Sequence, residues 1–242
     1  MKLRKPFAFK NFIIEQELVT LPVTTDACIF GALCEFSEPK NILDIGTGTG
    51  LLAFFLNQKY PSAKILGLEK NHESCLQATR NIDINQKKNA ISIIEADFFD
   101  FETINKFDAI ISNPPFFKNQ LESSTDLKNQ ARHLQNHTFS EFYSKIGTVL
   151  SSNGSAQILL PFTNIQLIET DLKESNLKIQ SFSTIQANSS KKPHLIAINL
   201  GFQAKEQIEI QHEIVLKTLN NKFTSQANNL LSPFYLNQAL NL

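Results

Sequence analysis

The sequence predicts an α/β fold: a seven-stranded mixed sheet with helices on both faces, preceded by a short amino-terminal extension. Three observations carry that prediction. From Asn41 onward, short β-rich apolar runs alternate with longer helical patterns, the signature of βαβ units around a parallel sheet. A glycine turn, Gly46 to Gly50, joins the first such run directly to the first helical pattern. A chain of 242 residues, 42% hydrophobic and 19% charged, can bury the core of one main domain, and no repeat or linker divides it.

The elements follow in order. Strands are expected near Asn41 to Ile45, Lys64 to Leu68, Ile91 to Glu95, Ala109 to Ser112, Ala156 to Leu160, Ile179 to Thr184 and Leu195 to Phe202. Leu51 to Gln58 is apolar enough to pack as a helix on the sheet, and Tyr60-Pro61-Ser62 ends it. Asn71 to Gln86 reads as an amphipathic helix, and His133 to Leu150 as another, stopped by the turn cluster Ser151-Ser152-Asn153-Gly154. Phe117 to Asn136 is polar and aperiodic, a long loop of the kind that often serves function. The last two strands, joined through Gln186 to Lys192, suit the antiparallel end of a mixed sheet. After Phe202 the pattern weakens into one more strand or helix and a tail ending in Pro233-Phe234-Tyr235-Leu236.

Residues 1–40 form the extension. Lys2, Arg4, Lys5 and Lys10 fall among Phe7, Phe9 and Phe12, before Glu15 and Glu17 restore the balance. Interleaved basic and aromatic residues suit phosphate contact with base stacking; the alternative is a solvated arm with a few anchoring aromatics. A local patch is needed for any polyanion, because Lys plus Arg equals Asp plus Glu and the formal charge is zero. Cys28, Cys34 and Cys75 are odd in number and make no Cys-x-x-Cys pair, which argues against a disulfide framework and a zinc site and for reduced thiols. No signal-like segment follows Met1 and no stretch of eighteen apolar residues occurs, so a soluble, cytoplasmic chain without membrane contact is expected.

The run Asp44-Ile45-Gly46-Thr47-Gly48-Thr49-Gly50 places strand, turn and helix start in immediate succession. Glycines there let the backbone approach a ligand closely. The spacing is Gly-x-Gly-x-Gly rather than the Gly-x-Gly-x-x-Gly of dinucleotide sites, and Asp44 would oppose a pyrophosphate while accepting hydrogen bonds from an ammonium group. Both favour a ligand that is cationic at this end. Glu69 closes the second strand, where a bidentate carboxylate can hold two ribose hydroxyls. Asp97 follows the third and can accept from an adenine amine. Any one acid could instead be a cap or a solvated strand end, but three after three consecutive strands point to one ligand.

The fourth strand runs directly into Asn113-Pro114-Pro115-Phe116. Two successive prolines remove two backbone donors and fix two φ angles, giving a stiff loop with outward carbonyl groups. An amino group could donate one hydrogen to the Asn113 side-chain oxygen and one to the Pro114 carbonyl, freeing its lone pair for attack on an electrophile, while Phe116 offers a face on which a planar group can stack.

The glycine loop and its three acids resemble the class I S-adenosylmethionine methyltransferases, over roughly Asn41 to Phe202. The resemblance implies a Rossmann-like sheet whose seventh strand is antiparallel, with the cofactor across the ends of the first strands. The Asn-Pro-Pro-Phe loop resembles that of enzymes methylating adenine, guanine at its 2-amino group, or a glutamine side chain. Phe7-Ala8-Phe9-Lys10-Asn11-Phe12, Val23-Thr24-Thr25-Asp26 with Gly31-Ala32, Asp44 to Ala53, Asn113 to Phe116, Gln130-Ala131-Arg132, Leu160-Pro161 and Pro193-His194 together look like the bacterial tRNA adenine-N6 methyltransferases that modify adenosine 37 of a valine tRNA. This implies that Thr25 and Asp26 line the cofactor pocket with Asp44, Gly46, Gly48, Gly50, Glu69, Asp97 and Asn113, that tRNA is the partner, and that Lys5, Phe7, Phe9 and Lys10 lie on the RNA side. Phe116 stands where that family commonly carries Tyr, and Phe is also typical of guanine-N2 enzymes.

A ribosomal RNA guanine-N2 methyltransferase would be expected to carry a duplicated amino-terminal domain, and a release-factor glutamine methyltransferase an extra helical one. A binding module without catalysis is opposed by intact Asp44, Gly46, Gly48, Glu69 and Asn113. Arg132, after the catalytic loop, could hold a phosphate or merely start a solvated helix. The five histidines show no metal-ligand spacing, so no metal is expected; His194 is assigned with Arg132 to the substrate RNA, because Pro193-His194 opens a strand near the cleft. Residues 41–242 are taken as the methyltransferase domain, residues 1–40 as a substrate-side and cofactor-lid segment, and a monomer is expected.

Overall fold

The computed structural model describes residues 4–18, 22–114, 133–134, 137–163 and 165–236. A hairpin of β1 (Phe7–Ala8) and β2 (Ile13–Ile14) leads through α1 (Thr25–Leu33) into β3 (Asn41–Ile45), α2 (Leu51–Lys59), β4 (Lys64–Glu69), α3 (His72–Ile84), β5 (Ile91–Glu95) and β6 (Phe107–Ser112). After the two-residue strands β7 (His133–Leu134) and β8 (His137–Thr138) come α4 (Phe139–Val149), β9 (Leu150–Pro161), α5 (Ile165–Asp171), β10 (Lys178–Asn188), β11 (Leu195–Gly201), β12 (Glu209–Lys217) and α6 (Ser225–Leu231).

The central sheet has the order β12-β10-β11-β9-β6-β3-β4-β5. Strands β5, β4, β3, β6 and β9 run parallel, and β11 is antiparallel to both of its neighbours. Seven of these eight strands lie where the sequence predicts them. The weak pattern after Phe202 resolves into an eighth, β12, followed by α6. β12 hides in sequence because it is an edge strand: its first five residues are exposed and its buried positions are Ile214 and Leu216, too few for a readable alternation.

Alternation along the inner strands supplies two cores. Ile42, Ile65, Ala109, Ile111 and Leu159 face α1, α2, α3 and α6, while Leu43, Leu68, Ile110, Ile158 and Leu160 face α4 and α5. The helix expected from His133 begins instead at Phe139, because Thr138 and Glu141 form a reciprocal capping box there. The cluster Ser151 to Gly154 belongs to β9 but bulges out of register, between the pairs Phe107↔Leu150 and Ala109↔Ser155.

The extension is fixed to this body by side chains of α3 and of Asn85, which caps it. Asn85 and Asn81 accept from the Ile13 and Glu15 amides, at 2.9 Å each, and Gln77 accepts from Leu18 at 3.0 Å. Asn81 is fully buried and donates to both Glu15 and Thr49 carbonyls at 2.9 Å, so it ties the extension to the glycine turn. Removing it strands one amide and two carbonyls. Asn81→Ala should therefore cost about 2 kcal/mol or more and expose residues 4–18 to limited proteolysis; parental urea midpoint and parental cleavage would sink this account.

Candidate active site

Parallel pairing brings the three acids to one edge. Ile45 lies between Leu68 and Ser112 in register, and Glu69 pairs with Glu95, so Asp44, Glu69 and Asp97 all sit at carboxyl ends. Beyond Ile45 the chain turns through Gly46, Gly48 and Gly50, with φ of 72°, 56° and 83°. L side chains rarely adopt such angles, which accounts for three glycines in five residues. The Leu68 carbonyl receives the Gly46 and Thr47 amides at 2.8 and 2.9 Å, bending the turn over the second strand. A Cβ at Gly46 would meet nothing within 4 Å, so the turn leaves open room beside it.

Asp44 is wholly buried under this turn, near the amino end of α2. Its Oδ2 accepts from the Thr47 hydroxyl at 2.6 Å, while Oδ1, also buried, has no hydrogen-bond partner. Burial pushes the carboxyl up to about 7; the Thr47 hydroxyl and Ala53 amide oppose that shift, and the charge of Glu69 adds to it. Glu69 accepts from Gly48 at 3.0 Å through one oxygen and from Asn71 at 2.9 Å through the other. Each oxygen keeps a further lone pair for a ligand. Asp97 accepts from Phe99 at 3.1 Å and lies 3.9 Å from the Lys70 ammonium. An anionic, partly unsatisfied pocket of this kind suits a ligand carrying ammonium and hydroxyl groups.

Asn113 directly follows Ser112, which pairs with Ile45 just ahead of the glycine turn; Asn113 is half-buried, and Pro114 is buried. Ser112 fastens this end by donating to the Ile45 carbonyl at 2.9 Å. Pro115, Phe116 and Arg132 lie outside the described residues.

Thr25 and Asp26 open α1, capped by Thr24. His194 Nε2 stands 3.3 Å from Asp26 Oδ1, and its pKa is raised by that hydrogen bond against the opposing effect of partial burial. Two residues assigned by sequence to different ligands are therefore one pair. It lies at the carboxyl edge, because antiparallel β11 begins there, opposite Pro161. Phe162, whose amide donates to the His194 carbonyl at 2.9 Å, is 47% exposed and was not singled out in sequence, although it directly follows Leu160-Pro161.

The extension needs correction. Phe9 is a core residue, 3% exposed, with its ring 4.5 Å from Phe12 and 5.4 Å from Phe55, so it offers no face to a base. Phe7 is half-buried against Phe9 and Tyr235. Lys10 donates from its amine to the Ser232 carbonyl at 2.6 Å, beside Pro233, which receives Gln58 from the last turn of α2. That turn is at the amino edge of the sheet, away from Asn113. Lys5 lies at the other end of the hairpin, where its carbonyl meets Gln16 and Gln16 meets Val23, just ahead of α1. Anchoring aromatics, as in the alternative reading of this segment, describe Phe9 and Phe12 better than base stacking does.

Among the described residues no group of three or more His, Cys, Asp or Glu could hold a metal, no helix is long and apolar enough to cross a membrane, and the three cysteines are buried and free.

The family model of the methyltransferase small domain matches residues 31–159. A tRNA1(Val) (adenine(37)-N6)-methyltransferase of Shewanella sediminis is 30% identical over 241 residues, covering 95% of this chain and 98% of the relative. Another of that name, from Flavobacteriaceae bacterium strain 3519-10, is 30% identical over 87% of this chain and 89% of its own. Among solved structures, a predicted O-methyltransferase of Agrobacterium tumefaciens superposes with TM-score 0.65 at 13% identity, covering 85% of this chain and 95% of the other. An O-methyltransferase of Brevibacillus brevis in complex with S-adenosyl-L-homocysteine gives 0.50 at 15%, covering 69% and 55%. These structures share the fold.

Asp44 makes a prediction that needs no ligand. Between its ordinary 3.8 and about 7 the folded chain keeps a proton that the unfolded chain has released. Stability from this group falls as pH rises through that window and is level above it. Urea midpoints from pH 4 to 8 should decline more steeply for the parent than for Asp44→Asn, and equal slopes would mean that Asp44 ionises normally.

Proposed function

The chain belongs to the methyltransferase small domain family and within it to the tRNA1(Val) (adenine(37)-N6)-methyltransferases, and we propose that it transfers a methyl group from S-adenosylmethionine to the N6 amine of adenosine 37 in valine tRNA. The observation that carries the chemistry is the adjacency of Asn113 to the glycine turn, fixed by the pairing Ile45↔Ser112. It sets an amide acceptor beside the pocket that would hold the methyl donor.

The residues fit that donor. Asp44 offers a buried oxygen without a partner to an ammonium group, the turn leaves room at Gly46, and Glu69 and Asp97 have acceptor capacity for ribose hydroxyls and an adenine amine. S-adenosylmethionine supplies a methyl group on a positively charged sulfur. Binding of its ammonium would favour the ionised form of Asp44, whose carboxyl burial otherwise holds near neutrality.

In this reading Asn113 Oδ1 and the Pro114 carbonyl each accept one hydrogen of the target amine. Those bonds orient the nitrogen lone pair away from the ring, toward the methyl carbon, and strengthen as the nitrogen becomes tetrahedral. No strong base is required, since the methylated amine is acidic enough to release its proton to water. Phe116 supplies the ring over which the extruded adenine stacks. Pro115 adds stiffness by its fixed φ. Thr25 and Asp26 border the pocket from α1, Arg132 meets a phosphate, and of the 1–40 extension to the 41–242 domain it is the segment from Lys5 to α1 that faces the substrate side. The working form is a monomer in the cytoplasm.

Two experiments test this. Gly46→Val forces a branched side chain to φ near 72°, and Asp44→Ala removes the anion; either should abolish S-adenosylmethionine binding in calorimetry, and parental affinity in both would refute the pocket. Asn113→Ala should slow single-turnover methyl transfer on unmodified tRNA by roughly a hundredfold while both ligands bind within about twofold of the parent. Asn113→Asp, which keeps an acceptor oxygen, should retain more activity than alanine. Transfer at the parental rate by Asn113→Ala would end the proposed mechanism.

A further inference from the structure

A chain of zero net charge needs a local basic surface to hold a polyanion; Lys10 lies at the amino edge, away from Asn113, and Lys5 lies toward the start of α1. Two turns at the carboxyl edge supply more. Residues 186–194, from the end of β10 to the start of β11, contain Lys191, Lys192 and His194 and no carboxylate; residues 215–223, from the end of β12 onward, contain Lys217 and Lys222 and no carboxylate. The turns adjoin because β10 and β12 are parallel and their last pair is Asn188↔Lys217, with the Lys191 amide donating back to Asn188 at 3.1 Å.

Both turns lie at the carboxyl edge, which also carries Asn113. The ammonium groups differ in setting: Lys191, Lys192 and Lys222 are exposed, while Lys217 donates to the Asn221 side chain at 3.0 Å and lies 5.7 Å from the centre of the Phe223 ring. Of the carboxylates on the adjoining elements, Asp26 is engaged with His194, and Glu213 pairs with Thr184, four residues before Lys217 on β12. Phe162 completes the surface. The residue is 47% exposed and its amide donates to the His194 carbonyl, so in strand order both residues border the edge between Asn113 and the lysines.

We propose that this flank of the sheet holds the RNA: Phe162 and His194 form a platform for an unpaired nucleobase next to the target, and Lys191, Lys192, Lys217 and Lys222 neutralise the sugar-phosphate backbone leading to it. The inference rests on the tRNA-methylation reading above. A basic track with interspersed aromatic faces is how single-stranded nucleic acid is held, and a loop nucleotide is reached in the same way. Asp26 fixes the imidazole in place through Nε2 and is a positioning residue for His194.

The test measures the dissociation constant of unmodified valine tRNA by filter binding across a salt series, with S-adenosylmethionine affinity and thermal midpoint as controls. Lys191→Glu with Lys192→Glu should weaken tRNA binding about tenfold or more and lower the salt slope by about two, leaving cofactor affinity and midpoint unchanged. Lys64→Glu, at the start of β4 on the opposite edge, should bind within about twofold of the parent. Phe162→Ala should lose about tenfold, with Phe162→Tyr restoring most of it. If the double lysine variant keeps parental affinity and salt slope while the parent methylates tRNA, the surface is misassigned. Equal losses from Lys64→Glu would also overturn it, as non-local charge, and so would parental binding by Phe162→Ala. A parent that binds no tRNA would overturn the tRNA reading itself, and this surface with it.

Discussion

Everything at the active edge depends on the parallel pairing of β3 with β4 on one side and β6 on the other. Because the three strands share a direction, their carboxyl ends finish together, and Ile45 lies in register with both Leu68 and Ser112. The Leu68 carbonyl can then take two amides of the glycine turn, and Ser112 can bond the Ile45 carbonyl. A one-residue slip on either side would invert the side chains of a strand buried on both faces, so the two cores enforce the register that the site requires.

Within that register the turn keeps a carboxylate in a place that is costly for it. Asp44 is buried completely, with the Thr47 hydroxyl on one oxygen, the Ala53 amide close by, and Oδ1 left unsatisfied. The strain is local and ligand-shaped: an ammonium group would complete the hydrogen bonding and favour the charged form at once. Glu69 and Asp97, by contrast, are held by backbone amides and stay in contact with solvent. One pocket thus contains one wholly buried acid and two that touch solvent.

Much of this was legible in the sequence. Seven strands, the glycine turn and the three acids lie where alternation and turn chemistry put them, because inner strands buried on both faces leave continuous apolar runs. Edge features were harder. β12 buries too little to show a period, and α4 starts at a capping box that an apolar pattern read from His133 overshoots. The extension misled for another reason: Phe9 and Phe12 look like a stacking surface beside lysines, and only tertiary packing against Phe54 and Phe55 makes them core. The Asp26 and His194 pair, 168 residues apart, could not be found without the fold.

The docking of the extension has a consequence for folding order. Phe9 bridges to Tyr235, and Lys10 meets Ser232 across 222 residues of chain. Phe12 and residues 13–18 rest instead on α2 and α3, much nearer in sequence. Contacts that close long loops form slowly. The hairpin is thus held by two sets of contacts of unequal range, and its seam with Ser232 and Tyr235 closes after its seam with α3.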